Sequence, residues 1–126
     1  MPKAEIVSIG SELLLGQIVD TNASWIAQKL TNVGVDLFYK TVVGDNKFRM
    51  NEVIDQALGR SDIVITGGGL GPTQDDITRE IIATVTGRKL VLDQGLLDEI
   101  DERFRKRGLV MTDNNERQAY IPEGAI

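Results

Sequence analysis

The stretch Thr66-Gly67-Gly68-Gly69-Leu70-Gly71-Pro72-Thr73-Gln74-Asp75-Asp76 decides how this chain is read. Immediately before it, Ser61-Asp62-Ile63-Val64-Ile65-Thr66 is short and apolar at its centre, as a strand covered on both faces should be. Immediately after it, Ile77 to Thr86 has helical spacing, with Ile81, Ile82 and Val85 inward and Gly87 as the stop. A buried strand, a glycine turn and a helix in succession form the unit of a parallel α/β sheet. Four of the chain's 13 glycines fall within five positions of that turn. Without Cβ atoms, backbone amides there can turn toward an anion, and the helix N-terminus adds its partial positive charge. The loop is therefore expected to hold a phosphate or carboxylate without a basic side chain. The alternative is a tight turn that only lets the helix pack on the sheet.

Working outward, Ala4 to Ile9 reads as a first buried strand closed by Gly10. Thr21 to Val33 reads as an amphipathic helix with Trp25, Ile26, Leu30 and Val33 on one face, capped by Asp20, Thr21 or Asn22 and ended at Gly34. Val35 to Val43 is a second strand that stops at Gly44-Asp45-Asn46. A helix from about Phe48 to Leu58 is expected to bury Val53, Ile54, Ala57 and Leu58. Gln94 to Arg107 carries Leu96, Leu97, Ile100 and Phe104 at helical spacing, with Asp93 as cap and Gly108 as stop. Its charged outer face, acids first and bases last, complements the helix dipole. The order strand, helix, strand, helix, strand, helix predicts a three-layer α/β/α fold with a mainly parallel sheet. Right-handed crossovers place the useful crevice at the carboxyl ends of the strands. The loops Gly10 to Asp20, Gly44 to Lys47 and Gly67 to Asp76 should converge there.

At 126 residues and 41% hydrophobic content the chain is about one domain's worth. Its formal charge is −5, which argues against a nucleic-acid partner. There is no histidine and no cysteine, so disulfides, thiolate or imidazole metal sites, catalytic triads and cysteine nucleophiles are excluded. Chemistry is left to carboxylates, hydroxyls, amides, Lys, Arg and the backbone. No stretch approaches the ~20 apolar residues that span a bilayer, so no membrane partner and a soluble, cytoplasmic protein are expected. At Tyr120-Ile121-Pro122-Glu123-Gly124-Ala125-Ile126 an extended segment begins with nothing after it to pair with. A shortened version of a longer protein is expected.

The carboxylates need weighing one by one. Asp75 and Asp76 are expected in the first turn of the helix after the glycine loop, where acids also serve the dipole, and Thr73 with Asp76 has capping-box spacing. An acid beside a phosphate loop repels the anion unless a divalent cation sits between them, and Mg²⁺ prefers hard oxygen ligands. Either aspartate is thus a metal candidate or a cap. Asp45 is the natural second carboxylate, or simply part of a turn. In the first loop Leu13, Leu14 and Leu15 are too apolar to stand free, and should pack under the domain or on a second copy. Ser11, Glu12, Asp20, Thr21 and Asn22 line the crevice or cap the helix. Two standard nucleotide motifs fail: Pro72 stands where the dinucleotide fingerprint needs a glycine, and no Gly-Lys-Ser/Thr follows.

Three motifs in order, Gly10-Ser11-Glu12-Leu13-Leu14 with Gly16 and Asp20-Thr21-Asn22, Val43-Gly44-Asp45, and Thr66 to Thr73 with Asp75-Asp76 and Thr78, resemble the molybdopterin-binding (molybdenum cofactor biosynthesis) domain family. The run Gly-Gly-Leu-Gly-Pro-Thr followed by two acids is most similar to its CinA-type branch. The resemblance implies that Thr66, Gly67, Gly68, Gly69, Gly71 and Thr73, with Ser11, hold the phosphates of a pterin or nucleotide. It implies that Asp45 and Asp76, with Asp75 as a further candidate, hold Mg²⁺, and leaves Glu12 to orient the attacking water or a sugar hydroxyl. CinA-type domains are associated with hydrolysis of ADP-ribose to AMP and ribose 5-phosphate; other branches bind or adenylylate molybdopterin. The expected partners are a phosphate-bearing small molecule (ADP-ribose, AMP or a pterin phosphate) and further copies of the chain in a homo-oligomer. A non-catalytic binding or oligomerisation module is the competing class. A further loop of the family, beyond Ile121 to Ala125, is expected to be missing.

Overall fold

A computed structural model describes residues 1–73 and 76–126. The chain forms two compact units, Met1–Gly69 and Leu70–Ile126.

The first unit runs β1 (Lys3–Ile9), α1 (Ser11–Leu14), α2 (Thr21–Asn32), β2 (Asp36–Val43), α3 (Lys47–Arg60) and β3 (Ile63–Gly67). Its three strands are parallel in the order β2-β1-β3. The expected parallel α/β sheet is therefore present. Burial on both faces belongs to the central strand: every residue from Ala4 to Ile9 is buried. β3 pairs only with β1 among the described residues, and its Ile63 is 41% exposed, so it is not the doubly covered strand that its apolar centre suggested. α3 buries Met50, Ile54 and Ala57 against the sheet, while Leu58, expected inside, is exposed.

α2 also departs from expectation. Ala23 is buried and Ile26 and Leu30 half-buried, but Trp25 is 61% exposed and Val33 lies past the last helical residue, also exposed. At about 100° per residue, Trp25 lies a quarter-turn or more from the stripe shared by Ala23, Ile26 and Leu30. Its ring instead lies under the Lys29 ammonium, 5.2 Å away. Leu14 and Leu15 are exposed too, and do not pack beneath this chain.

At the amino end of the sheet, Glu5 is an acid on the central strand with 1% of its surface exposed. A charge buried this deeply needs a partner. Arg60 donates to both of its carboxylate oxygens, at 2.5 and 3.0 Å, and the Ser61 hydroxyl donates at 2.7 Å. These bonds, the Arg60 guanidinium first, hold Glu5 below its ordinary pKa of 4.5. The guanidinium stacks on Tyr39, 3.5 Å from the ring centre. Tyr39 stands opposite Glu5 because the β1–β2 register slips by one residue: Ala4 faces Leu37, Glu5 faces Tyr39, and Phe38 bulges out.

The second unit runs α4 (Thr78–Val85), β4 (Leu90–Leu92), α5 (Gln94–Lys106), α6 (Asp113–Glu116), a 3-10 turn (Arg117–Ala119) and β5 (Tyr120–Pro122). The terminal extended segment has a partner after all. Leu90, Val91 and Leu92 pair antiparallel with Pro122, Ile121 and Tyr120. Asp93 caps α5 as expected, accepting from the Leu96 amide at 3.0 Å. The outer face of α5 carries ion pairs one turn apart between Arg103 and Glu99, Arg105 and Asp101, and Lys106 and Glu102. Among the described residues no helix is long and apolar enough to cross a membrane.

Candidate phosphate site

In the first unit the chain leaves β1 to form β2 on one side and then crosses to form β3 on the other. Between β1 and β3 the connections diverge, which is where an open α/β sheet leaves a crevice at the carboxyl ends of its strands. A crevice of about 290 Å³ lies there. Its polar wall is Ser8, Glu12, Thr21 and Asn22, closed by Gly67 and Gly68. Asp20 also lines it, but its carboxylate caps α2, accepting from the Ala23 amide at 3.0 Å. Thr66 is not part of this wall, because successive strand residues face opposite ways and Ile65 and Gly67 face the crevice.

The first two loops meet directly. The Asp45 amide donates to the Ser11 hydroxyl at 3.1 Å, and the Ser11 amide donates to an Asp45 carboxylate oxygen at 3.4 Å. Gly44 permits this contact: a Cβ there would lie 3.3 Å from both Leu14 and the Ser11 hydroxyl. The Glu12 carboxylate folds back over Gly10, where a Cβ would stand 2.6 Å from its oxygen. Asp45 and Glu12 are both exposed.

The glycines of the third loop have different reasons to be glycine. Gly68 has φ +99°, and a Cβ there would lie 2.1 Å from the Ile9 carbonyl oxygen, so close packing of backbone on backbone demands it. Gly69 also has positive φ, +68°. Gly67 has no atom within 4 Å of a Cβ and is exposed, so packing does not require it.

In the second unit Asp76 organises the remainder of that loop. It stands two residues before the first residue of α4 rather than in its first turn. The capping-box spacing is nonetheless used. The Asp76 amide donates to the Thr73 carbonyl at 3.1 Å, and Asp76 Oδ2 accepts from the Thr73 amide at 3.2 Å and from the Thr73 hydroxyl. The same oxygen would be 2.5 Å from a Cβ on Gly71. The Thr73 hydroxyl above all, then the Thr73 and Gly71 amides and Arg79, hold the Asp76 carboxyl below its ordinary 3.8, so it is ionised at neutral pH. The amides of Gly71 and Thr73 are thus directed at a carboxylate of the chain itself. Asp75, the third metal candidate, lies outside the described residues.

Two arginines that the sequence reading passed over grip the carbonyl side of this loop. Arg79 donates to the carbonyls of Leu70 and Gly71 at 2.7 and 3.3 Å. Arg117 donates to the carbonyl of Thr73 at 2.9 Å and to Glu80 at 3.3 Å. Burial, and then the neighbouring Arg117, pull the pKa of Arg79 downward. A basic residue in the first turn of a helix opposes the macrodipole, and that was a signal for Arg79. Arg117 had none.

Among the described residues no three carboxylates gather into a metal cage. Mg²⁺ does not require one, since it commonly takes one or two carboxylates, several waters and the phosphates of its substrate. The exposed Asp45 carboxylate beside the Ser11 hydroxyl is a donor set of that kind.

The model of the family described as a probable molybdopterin binding domain matches residues 5–123. The chain belongs to this family. It is similar to a competence-damage inducible protein of Caldicellulosiruptor saccharolyticus, 54% identical over 98% of this chain and 30% of that protein. A second, from Symbiobacterium thermophilum, is 53% identical over 97% of this chain and 29% of that one. The chain thus spans about 30% of the length of these relatives. Among solved structures, the CinA protein of Thermoplasma acidophilum, described as of unknown function, superposes with a TM-score of 0.87 at 35% identity over 97% of this chain and 71% of that one. The structure of MogA gives a TM-score of 0.60 at 29% identity, covering 79% of this chain and 64% of that one. The expected membership of the molybdopterin-binding-domain family, in its CinA-type branch, and the expected α/β fold are both borne out.

Proposed function

We propose that this molybdopterin-binding-type domain binds the phosphates of a dinucleotide-like ester and hydrolyses ADP-ribose to AMP and ribose 5-phosphate. The observation that carries the reading is the pairing of Ser11 with Asp45 at the carboxyl ends of adjacent parallel strands, with Gly67 on the other side of β1. A hydroxyl, an exposed carboxylate and a glycine that packing does not require stand at the carboxyl end of one sheet. Water adds to one phosphorus, the bridging P–O bond breaks, and the bridging oxygen leaves with the other phosphate. In this reading Gly67 and Gly69 present amides to the phosphates and Ser11 fixes the orientation of Asp45. On the first unit Asp45 is a metal-holding carboxylate and Glu12 orients the attacking water; on the second unit the ionised Asp76 is a carboxylate able to hold a cation. Mg²⁺, when bound, would supply charge neutralisation on the phosphate oxygens. Molybdopterin is the alternative ligand, favoured by the match of residues 5–123 to the family described as a probable molybdopterin binding domain.

Product analysis separates the readings. The chain is incubated with ADP-ribose, or with molybdopterin and ATP, in the presence of Mg²⁺. Release of AMP and ribose 5-phosphate supports the hydrolase. Adenylylated pterin transfers the site to molybdenum cofactor chemistry. Calorimetric binding of ADP-ribose or AMP without turnover makes the domain a binding module.

A further inference from the structure

We infer that Arg117 is a positioning residue for the Asp76 carboxylate, acting through Thr73. The inference rests on the reading of Asp76 as a working carboxylate, and its geometry lies wholly within the second unit. Thr73 is held from both sides of its backbone: its carbonyl accepts from Arg117 at 2.9 Å, and its amide and hydroxyl both donate to Asp76. The Thr73 carbonyl and amide lie in successive planar peptide groups that meet at the Thr73 Cα, so a contact that fixes the carbonyl restricts rotation about that Cα, which also carries the amide and the hydroxyl. With the guanidinium in place, the turn Gly71–Thr73 keeps the shape that aims three donors at one carboxylate. Without it, the Thr73 carbonyl keeps only the Asp76 amide as its described donor.

The rest of the arrangement supports a role beyond a surface ion pair. Arg117 is half-buried and lines a cavity of about 170 Å³ together with Asp76, Arg79, Glu80, Leu90 and Tyr120. Two guanidiniums share that cavity, an unfavourable pairing unless each has its own acceptors. Arg79 takes the carbonyls of Leu70 and Gly71, so the two arginines together cover three carbonyl oxygens of a four-residue stretch. A carbonyl oxygen turned toward a phosphate repels it, and these are turned toward cations instead. Arg117 comes from the 3-10 turn immediately before β5, 44 residues beyond Thr73 in the chain. The strand pairing of β5 with β4 fixes where that turn stands. The C-terminal segment therefore shapes the glycine loop rather than merely following it.

The test uses Arg117→Gln, Thr73→Val, their double variant, and Glu80→Gln, each checked for an unchanged melting profile. In ADP-ribose hydrolysis with Mg²⁺, Arg117→Gln and Thr73→Val should each lower kcat about tenfold with KM within twofold. The double variant should be no worse than the poorer single, because both cut the same chain of contacts. Glu80→Gln removes only the charge of Arg117's outer partner and should change kcat less than twofold. Amide exchange at Thr73 reads the contact without any activity, and should quicken about tenfold in Arg117→Gln but not in Arg103→Gln on the surface of α5. Full additivity in the double variant, a Glu80→Gln loss equal to that of Arg117→Gln, or unchanged exchange at Thr73 each overturns the inference. A wild type that releases no AMP, with exchange still quickened in Arg117→Gln, sinks the hydrolase reading and leaves the positioning of the loop standing.

Discussion

The two ends of the first unit's sheet treat their carboxylates in opposite ways. At the amino end Glu5 is buried, and its oxygens accept three hydrogen bonds from Arg60 and Ser61. At the carboxyl end Asp45 is exposed and, among the described residues, accepts one long bond, 3.4 Å from the Ser11 amide, while Glu12 lies exposed over Gly10. A carboxylate with its acceptor capacity filled contributes to folding and is closed to ligands. One with capacity to spare contributes little to folding and is open to a cation or a water. Filled and open carboxylates are thus segregated along the strands, with β1 connecting them.

The comparison breaks most visibly at Gly68, which sits at the carboxyl end yet is demanded by packing. Gly68→Ala should cost about 4 kcal/mol, from its positive φ together with the overlap on the Ile9 carbonyl. A urea melt measures it, and a loss under about 1 kcal/mol would show that the loop adjusts freely. Next in size, Arg60→Leu should destabilise the fold by stranding the Glu5 carboxylate in the core. Glu5→Leu should cost less, because Arg60, with 33% of its side chain exposed, can turn to water. Equal losses would mean that packing and not charge holds the amino end together. At the carboxyl end Asp45→Asn should leave stability within about 0.5 kcal/mol while lowering Mg²⁺-dependent release of AMP about 100-fold. An active variant would remove Asp45 from the site.

The smallest effect is one of pH. Glu5 is held below 4.5 in the folded chain, so below that value the unfolded chain binds the proton first. Its contribution is present in full above pH 4.5 and is lost as pH falls through the lower, folded value. In Arg60→Leu that acid-side loss should shrink or reverse. Denaturation curves from pH 6 down to about pH 3 would show it, and identical pH profiles for wild type and variant would contradict the account.

Much of the fold was legible because its signals are local. Gly10, Gly44 and Gly67 punctuate strands, Asp93 precedes a periodic run, and the order of strands and helices implies parallel pairing. Trp25 was misplaced because a helical stripe is narrower than the span from Trp25 to Val33 suggested. β4 escaped notice because three residues, Leu90 to Leu92, become a strand only through Tyr120 to Pro122, some thirty residues on. Glu5 lies within the run read as a buried strand, but nothing local pairs it with Arg60, 55 residues further on. Candidate site residues carried on motifs, Ser11, Asp45, Gly67 and Asp76, could be picked out one at a time. Their contacts, Ser11 with Asp45 and Asp76 with Thr73, required a folded chain in the first case and only a three-residue reach in the second.

The slip in register at Phe38 has a consequence for how such a domain can change over generations. Above it, Glu5 through Ile9 face Tyr39 through Val43 without interruption, so the alignment of Gly10 with Gly44 is counted from Tyr39 onward. A residue gained or lost at the bulge is taken up between Leu37 and Tyr39 and leaves that count untouched. The turn that follows α2 can therefore lengthen or shorten by one position among descendants of this sequence without moving Ser11 away from Asp45. The same insertion placed after Thr41 would carry Asp45 out of step with its partner.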